Sequence, residues 1–261
     1  YFKKSMIIIF VQDTTVSVAL LQSVVALSKQ LKKQCGILCM ANNADMVSVY
    51  ENHYSEFLKQ NGFADVSVFV KQAHPGQLAE FCEQLEASFL FFQLNKESFR
   101  HLRQSLTFCR DLRIPYLFFK NSFSALNLDK VVVPVGFLEE EIEKAQFVSA
   151  FGRFCGSEIM LLPANDYGSK AASTTDKMKT ILDKFQLTYT VEKAQSDSFK
   201  VDREAIEKAV KIEADLVIIS ASREYGLDDI LFGPKELHLI KKSPVPILLV
   251  NPRSDLYALC D

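Results

Sequence analysis

The chain reads as one series of strands and helices that occurs twice, and this repetition restricts the fold more than any other feature. Short apolar runs such as MIIIFV and KVVVPV alternate with longer segments of helical periodicity in both halves. Matching segments in the two halves are separated by about 120 to 131 residues. The matching pairs are CMAN (39–42) with LPAN (162–165), EASFLFF (86–92) with EADLVII (213–219), and IPYLFFKN (114–121) with VPILLVN (245–251).

Apolar strands that alternate with helices are typical of parallel sheets, because each parallel pair of strands needs a helical crossover. The sequence therefore predicts an α/β fold of two tandem doubly wound domains. Each domain would contain a five-stranded parallel sheet with helices on both faces. We expect the first domain over residues 1–124 and the second over 125–261. The connector NSFSALNLD (121–129) is short, so the halves are expected to touch.

Composition and charge exclude several classes of function. The 261 residues carry a net charge of −2 and a pI near 6.2, so no overall field attracts nucleic acid or an anionic membrane. The longest apolar run, MIIIFV, is the size of a strand and far shorter than a membrane span. We expect no signal peptide, because the charged, apolar and small segments of one do not open the sequence, although Tyr1 is an unusual first residue and leaves the native start open. We expect a cytoplasmic protein that binds neither nucleic acid nor membrane.

Metal binding and the common catalytic motifs are not indicated. The six cysteines form no CxxC pair, and no second Cys or His pair completes a zinc set with Cys35 and Cys39. The four histidines show no HxxxH or HExxH spacing, and no GxSxG, Walker A or GxGxxG sequence occurs. We therefore predict reduced thiols and assign no catalytic residue and no metal ligand.

The second half contains KVVVPVGF, EADLVIIS, ASREYGLDDILFGP and KKSPVPILLVN in this order. In combination these segments resemble the universal stress protein family, and the first half resembles a more divergent copy. The likeness covers nearly the whole chain. It implies a sheet of strand order 3-2-1-4-5 in each domain and dimerisation through the fifth strand. Some members of the family bind ATP and others do not, so nucleotide binding has to be judged residue by residue.

The ATP-binding members have an Asp just after the first strand. After the fourth strand they have G-x-x-G, nine residues and G-[ST]. In the second half Gly136 stands at the Asp position, Glu224 replaces a glycine, and Pro234 replaces the last one. The first half keeps Asp13, but its fourth strand leads into QLNKESFRHLRQSL, which has no glycine. If a nucleotide binds, the candidate contacts are Asp13, Thr14, Pro134, Val135, Gly136, Ala221, Ser222, Arg223, Gly226 and Gly233.

These departures favour a non-enzymatic protein that acts in a stress response by binding or association, without an intact ATP site and without a cofactor. The alternative is an ATP- or AMP-binding universal stress protein with slow ATP hydrolysis or autophosphorylation. The protein partner is not indicated by the sequence. Self-association is expected through the fifth strands, with residues 115–120 facing 246–251 in an internal pseudo-dimer or in a homodimer.

Four local expectations complete the sequence analysis. Gly36 is expected to end the first helix, and Glu140 and Lys144 are expected to pair on a solvated helix start. The stretch GSKAASTTDK (168–177) is interpreted either as a lid over a ligand cleft or as an exposed loop that caps the next helix. The tail RSDLYALCD is expected to pack on the other domain or on a second chain and to shield Cys260.

Overall fold

The structure is a computed structural model that describes residues 5–222 and 233–251. The chain divides into two compact units, one through Ala125 and one from Leu126. Both units alternate strands with helices along the chain.

The described part of the first unit contains five strands and four α-helices. The strands are β1 (Met6–Val11), β2 (Gln34–Ala41), β3 (Ser67–Gln72), β4 (Ala87–Gln93) and β5 (Tyr116–Phe119). The helices are α1 (Val18–Gln30), α2 (Asp45–Gln60), α3 (Leu78–Gln84) and α4 (Phe99–Cys109), and a 3-10 turn at Pro75–Gln77 precedes α3.

The strands of the first unit form a parallel sheet of order β3-β2-β1-β4-β5. Strand β1 lies in the middle, and Ile9 is in register with Ile37 of β2 and with Phe91 of β4. All six residues of β1 are buried. Because successive side chains point to opposite faces of a sheet, both faces at β1 are covered. This explains why the strand reads as a continuous apolar run.

The second unit repeats this arrangement. Its strands are β6 (Lys130–Val135), β7 (Glu158–Pro163), β8 (Tyr189–Val191), β9 (Leu216–Ser220) and β10 (Ile247–Val250). Its described helices are α5 (Lys144–Cys155), α6 (Lys170–Lys184), α7 (Val201–Lys211) and α8 (Lys235–Lys242), and a 3-10 turn at Glu139–Glu143 precedes α5.

The parallel strands of the second unit have the order β8-β7-β6-β9-β10. Counted within each unit, both sheets therefore have the order 3-2-1-4-5. The predicted fold class and strand order are confirmed. In each sheet the first strand has the second strand on one side and the fourth on the other, so the strand order reverses between the first and the fourth strand.

Gly36 does not end a helix, and that prediction is wrong. Helix α1 already ends at Gln30, and the chain turns at Lys32, which has a φ of 56°. Gly36 lies inside β2, where an added Cβ would be 2.8 Å from Cε2 of Phe69. The position needs glycine because a side chain of β3 approaches the backbone closely, not because a helix stops there.

The interpretation of residues 168–177 as an exposed loop is wrong, because α6 already begins at Lys170, whereas the interpretation as a lid stays a prediction. Thr174 and Thr175 are buried on its inner face, and the Thr175 hydroxyl donates to the carbonyl oxygen of Ala171. That bond within the helix satisfies a polar group that would otherwise oppose burial. Ser169 precedes the helix but makes no capping bond with its side chain.

None of the described helices is both long and apolar enough to cross a bilayer. Five cysteines lie in the described part of the chain, and all five are unpaired thiols. Four of them are buried, namely Cys35, Cys39, Cys82 and Cys109, and burial raises the pKa of Cys35 and of Cys82 to about 12. These thiols behave as small apolar groups of the core. The tail with Cys260 lies outside the described residues.

Candidate functional site

Open parallel sheets bind ligands beyond the carboxyl ends of their strands, at the point where the strand order reverses. In the second unit this point lies between β6 and β9. Pro134 and Val135 end β6, Gly136 follows them, and Ala221 and Ser222 follow β9. We call the loops at the ends of these two strands the second-unit switch point. It contains six of the predicted contacts: Pro134, Val135, Gly136, Ala221, Ser222 and Gly233.

A buried ion pair closes the β6 side of the second-unit switch point. The Lys144 ammonium donates to Oε2 of Glu141 at 2.6 Å and to the carbonyl oxygen of Pro134. The same oxygen of Glu141 accepts the Gly136 N–H at 3.0 Å. Lys144 is fully buried and Glu141 is 7% exposed. The prediction of a solvated pair at Lys144 is therefore wrong, and this lysine instead holds the loop after β6.

The electrostatics of this pair favour the ionised carboxylate. Burial by itself would raise the pKa of Glu141, because a charged group loses solvation there. The Lys144 ammonium and the Gly136 N–H stabilise the carboxylate and hold its pKa below the ordinary value. Glu141 is thus a charged, hydrogen-bonded group of the interior at neutral pH.

A second buried carboxylate lies at the β9 side of the second-unit switch point. Glu236 is the second residue of α8, it is 1% exposed, and its Oε1 accepts the Ser222 N–H. Its Oε2 finds no hydrogen-bond partner among the described residues. A carboxylate in the first turn of a helix interacts favourably with the helix dipole. The neighbouring Lys235 is bound elsewhere, since its Nζ lies 3.0 Å from a carboxylate oxygen of Asp202.

A serine and an aspartate link three loops at the same edge of the second sheet. Ser198 accepts the Phe137 N–H at 2.8 Å, and its own N–H and hydroxyl donate to the two carboxylate oxygens of Asp166. An added Cβ at Gly136 would lie 3.2 Å from Oγ of Ser198 and 3.8 Å from Cδ of Glu141. The close Ser198 hydroxyl therefore disfavours a side chain at the position of the family's Asp, whereas Glu141 lies at an ordinary contact distance.

The equivalent point of the first unit lies between β1 and β4, and we call it the first-unit switch point. Asp13 and Thr14 follow β1 and are exposed. The Asp13 carboxylate accepts the Thr15 N–H at 2.8 Å, which is a local turn of the kind that Asp commonly forms. Gln93, the last residue of β4, accepts the Ser17 N–H and donates to the carbonyl oxygen of Thr15.

Two side chains of α2 also contact backbone carbonyl groups of the loop after β1. The buried Tyr54 donates its hydroxyl to the carbonyl oxygen of Asp13 at 2.7 Å, and Nε2 of His53 lies 2.9 Å from the carbonyl oxygen of Thr14. Burial, together with a hydrogen bond to Cys39, raises the pKa of Tyr54. The phenol therefore stays neutral and keeps its proton for this bond.

Of the predicted contacts, Asp13 and Thr14 belong to the first unit, and the other described ones belong to the second. Arg223, Gly226 and the opposing Glu224 lie outside the described residues. Gly233 has a φ of 84°, a backbone conformation that favours glycine. The role of the ten residues as nucleotide contacts stays a prediction.

Sequence reasoning missed most of the side chains that fill the two switch points: Tyr54, Gln93, Glu141, Lys144, Asp166, Ser198 and Glu236. Gln93 and Asp166 each carried a signal, since a polar residue at or just after the end of a buried strand lies at the edge where parallel sheets bind ligands. Glu236 had a weaker one, because it follows a proline at a helix start. Among the described residues, no group of three or more His, Cys, Asp or Glu side chains is placed to hold a metal ion.

Comparison with solved structures gives the fold relatives of this chain. A universal stress protein from Archaeoglobus fulgidus superposes with a TM-score of 0.62 at 16% identity, covering 98% of this chain and 99% of that one. A putative universal stress protein from Pseudomonas aeruginosa gives 0.66 at 12% identity, covering 97% and 95%. The cytoplasmic domain of a prokaryotic cation chloride cotransporter gives 0.54 at 12% identity, covering 98% and 100%.

The chain has the fold of universal stress proteins. The match extends over nearly the full length of both chains in each comparison, so it includes both units. At the level of sequence, no protein-family model and no curated protein matches. The likeness therefore establishes the architecture, and the function has to be argued from the residues at the switch points.

Proposed function

We propose that this protein acts in a stress response by binding or association, and that it holds no ATP at the second-unit switch point. The observation that carries the proposal is the use of backbone donors at the ends of β6 and β9. The N–H groups of Gly136 and Ser222 donate to carboxylates of the chain itself, Glu141 and Glu236. N–H groups at such positions are the ones that hold phosphate oxygens in other α/β proteins.

Electrostatics oppose a triphosphate at the same place. Two buried carboxylates would face the phosphates, and like charges at close range repel strongly in an interior of low dielectric. The nearby cations are already engaged, Lys144 with Glu141 and Lys235 with Asp202. A nucleotide would have to displace a buried carboxylate and leave its lysine without a partner, which is a costly change.

One feature of the first unit supports the alternative function. That alternative is an ATP- or AMP-binding protein with slow hydrolysis or autophosphorylation. Asp13 is exposed at the end of the first strand, where the resemblance places a contact to the nucleoside. Against this alternative, its carboxylate is used in a local turn, and β4 ends in Gln93, whose side chain binds the loop after β1. A nucleotide there would compete with these bonds.

The stress-response part of the proposal is supported by the shared fold with two proteins named as universal stress proteins. A cytoplasmic location is part of the same proposal. It is supported by the five unpaired thiols of the described residues, since thiols stay reduced in that compartment. For the partner we propose only a class, which is either a protein or a small molecule.

Calorimetric titration with ATP, ADP and AMP, each with Mg²⁺, tests the proposal. We expect no ATP binding tighter than about millimolar, which corresponds to about −4 kcal/mol. Thermal shift provides a second measurement, because a ligand at about 100 times its dissociation constant adds about 2.7 kcal/mol of stability. Micromolar ATP binding would overturn the proposal.

Two variants locate any nucleotide that does bind. Asp13→Asn removes the exposed carboxylate of the first unit, and Glu236→Gln removes the charge from the buried carboxylate of the second. If binding is lost only in Asp13→Asn, the alternative function is correct and resides in the first unit. If Glu236→Gln alone gains binding, the carboxylate is what excludes the nucleotide, as proposed.

Self-association through the fifth strands stays a prediction from the sequence. Leu248 lies in β10 and is 1% exposed, so Leu248→Asp would place an unpaired charge in the interior at considerable cost. If the fifth strands associate within the chain, the variant should lose hydrogen-exchange protection in both units and give an expanded scattering profile. Loss of protection in the second unit alone would contradict the pseudo-dimer.

A further inference from the structure

Four apolar side chains lie together beyond the carboxyl ends of the strands of the second unit. Phe137 and Leu138 follow β6, Tyr167 follows β7, and Phe199 lies between β8 and α7. Tyr167 is fully exposed, Phe199 is 84% exposed and Leu138 is 45% exposed. The ring centroids of Phe137 and Phe199 lie 5.8 Å apart. We call these four residues the aromatic patch.

Hydrogen bonds hold the loops that carry the aromatic patch. Oγ of Ser198 accepts the Phe137 N–H at 2.8 Å, and the Ser198 N–H donates to Oδ1 of Asp166 at 2.9 Å. Because Tyr167 follows Asp166 and Phe199 follows Ser198 in the chain, these bonds bring the three loops together. Exposed apolar patches on a protein surface commonly mark a place where another group packs. The patch is therefore a candidate contact surface.

The corresponding loops in the described part of the first unit carry no such patch. The segments after β1, β2 and β3 are residues 12–17, 42–44 and 73–77, and Val16 is the one large apolar residue among them. Val16 is buried. Since both units have the same strand order, the fold alone does not account for the patch. The apolar surface that it matches should therefore belong to something that the second unit has and the first does not.

The tail RSDLYALCD (253–261) follows the second unit and contains Leu256, Tyr257 and Leu259, and it lies outside the described residues. It comes after β10, whose carboxyl end lies at the same edge of the parallel sheet as that of β6. Both strands neighbour β9, so they are about 10 Å apart. The five residue steps from Asn251 to Leu256 span up to about 17 Å. The apolar part of the tail can therefore reach the aromatic patch.

The segment that follows the fifth strand of the first unit returns to its own unit. The Phe123 N–H donates to the carbonyl oxygen of Lys120, which closes a tight turn just after β5. The ring centroid of Phe123 lies 5.6 Å from that of Phe119, the last residue of β5. An apolar side chain that follows a fifth strand can thus pack on the unit that the strand belongs to.

We propose that the tail packs on the aromatic patch of its own unit, with Leu256, Tyr257 and Leu259 against Phe137 and Phe199. The contact removes apolar surface from water on both sides, which is the main driving force for such packing. The other domain and a second chain, which the sequence favours as the surfaces that cover the tail, are outcomes of the test. The inference goes beyond the proposed function, because it neither requires nor excludes a nucleotide at the second-unit switch point.

Disulfide trapping with the natural Cys260 tests the position of the tail in the full chain. The background variant Cys155→Ser removes the one cysteine among the described residues that is not buried. Phe199→Cys then introduces a thiol into the aromatic patch. As controls at exposed positions, Val210→Cys introduces one near the opposite end of α7, and Val49→Cys introduces one on α2 of the first unit.

With a mild oxidant and dilute protein, Phe199→Cys should form a disulfide within the chain at least about tenfold faster than Val210→Cys, because a docked tail raises the effective concentration of its thiol. Peptide mass spectrometry identifies the bond, and a non-reducing gel separates it from a bond between two chains. A faster disulfide in Val49→Cys would place the tail on the first unit, and a disulfide-linked dimer would place it on a second chain. Either result, or equal rates in all three variants, overturns the inference.

A second measurement leaves the aromatic patch unaltered. In the Cys155→Ser background, the double variant Leu256→Ser with Leu259→Ser should react with a thiol reagent at Cys260 at least about tenfold faster than the background protein, because the tail opens more easily once its apolar contacts are removed. Melting temperatures of both proteins separate this local effect from a loss of the fold. Equal reactivity of Cys260 in the two proteins would overturn the inference. Neither experiment measures nucleotide binding, so this inference and the proposed function can fail separately.

Discussion

The two units solve the same structural problem with different chemistry. In both, the loop after the first strand must be held at the point where the strand order reverses. The first unit holds it with neutral groups, the Tyr54 hydroxyl and the Gln93 amide, and leaves the Asp13 carboxylate exposed. The second unit holds it with a buried ion pair, Glu141 and Lys144. The same strand order is therefore compatible with neutral hydrogen bonds or with a buried ion pair at this loop. The ion pair of the second unit places charged side chains of the protein itself beside the loop.

This difference has energetic consequences. A neutral hydrogen bond contributes about 0.5–1.5 kcal/mol to stability, and its loss leaves a moderate penalty. A buried ion pair adds little net stability, but removing one partner strands a charge in the interior and costs about 3–5 kcal/mol. The second unit should therefore be far more sensitive than the first to single substitutions at its switch point.

The largest expected effect is that of Lys144→Met. The variant leaves Glu141 as an uncompensated buried carboxylate and should destabilise the second unit by about 3–5 kcal/mol. Hydrogen exchange followed by mass spectrometry, compared between β6 and β1, measures the loss in each unit. Lys208→Met is the control, because Lys208 pairs with the half-exposed Glu192 at the surface, and it should cost less than about 1 kcal/mol. Equal effects of the two variants would refute the comparison.

Acid should weaken the second unit through the same pair. The pKa of Glu141 is lowered in the folded state, so its contribution to stability is complete above the unfolded value of about 4.3 and is lost as the pH falls through the folded pKa. Urea unfolding between pH 7 and pH 3 measures this loss. The double variant Glu141→Gln with Lys144→Met lacks the titrating group and should lose less stability over the acid range. Parallel profiles for the two proteins would contradict the assignment.

A smaller effect is expected for Tyr54→Phe in the first unit. The variant removes the hydroxyl that donates to the carbonyl oxygen of Asp13 and leaves a neutral acceptor without that donor, at a cost of about 1–3 kcal/mol. Tyr50→Phe on the same helix is a matched control with the same chemical change. The free energy of unfolding from urea titration should separate the two variants, and a loss larger than that of Lys144→Met would reverse the comparison.

The smallest effect is expected for Asp13→Ala. Its carboxylate is exposed and, within the described part of the chain, accepts the Thr15 N–H two residues further on, so its removal should change the free energy of unfolding by less than about 0.5 kcal/mol. Urea titration of the variant beside Tyr54→Phe tests this. A loss comparable to that of Tyr54→Phe would mean that the turn at Asp13 organises the loop, whereas the contacts assign that role to Tyr54 and Gln93.

The architecture could be predicted because it depends on local regularities that repeat along the chain. Buried runs such as MIIIFV and the matched offset between the halves define the strands, and parallel strands need crossover helices. The strand order came from the family resemblance and is confirmed in both units. The end of α5 was also predictable, since Gly156 adopts a φ of 72° as the left-handed cap of that helix.

The contacts at the switch points could not be predicted in the same way, because they join residues by tertiary geometry. An ideal α-helix would pair Lys144 with Glu140, but the 3-10 turn at Glu139–Glu143 changes the helical phase and brings Glu141 inward. Gln93 is buried at the end of a strand and binds a loop more than seventy positions earlier in the sequence. No local pattern in the sequence specifies such a bond.

The buried Glu141–Lys144 pair also limits how this protein can evolve. A change at either position alone passes through an intermediate with a stranded charge, whereas an exchange of both for apolar residues can be nearly neutral. Related sequences should therefore carry both charges or neither. Related sequences that keep the pair should also keep glycine at position 136, because a Cβ there would lie within 4 Å of Ser198 and of Glu141. An Asp at that position would bring a further carboxylate close to the Ser198 hydroxyl and to Glu141.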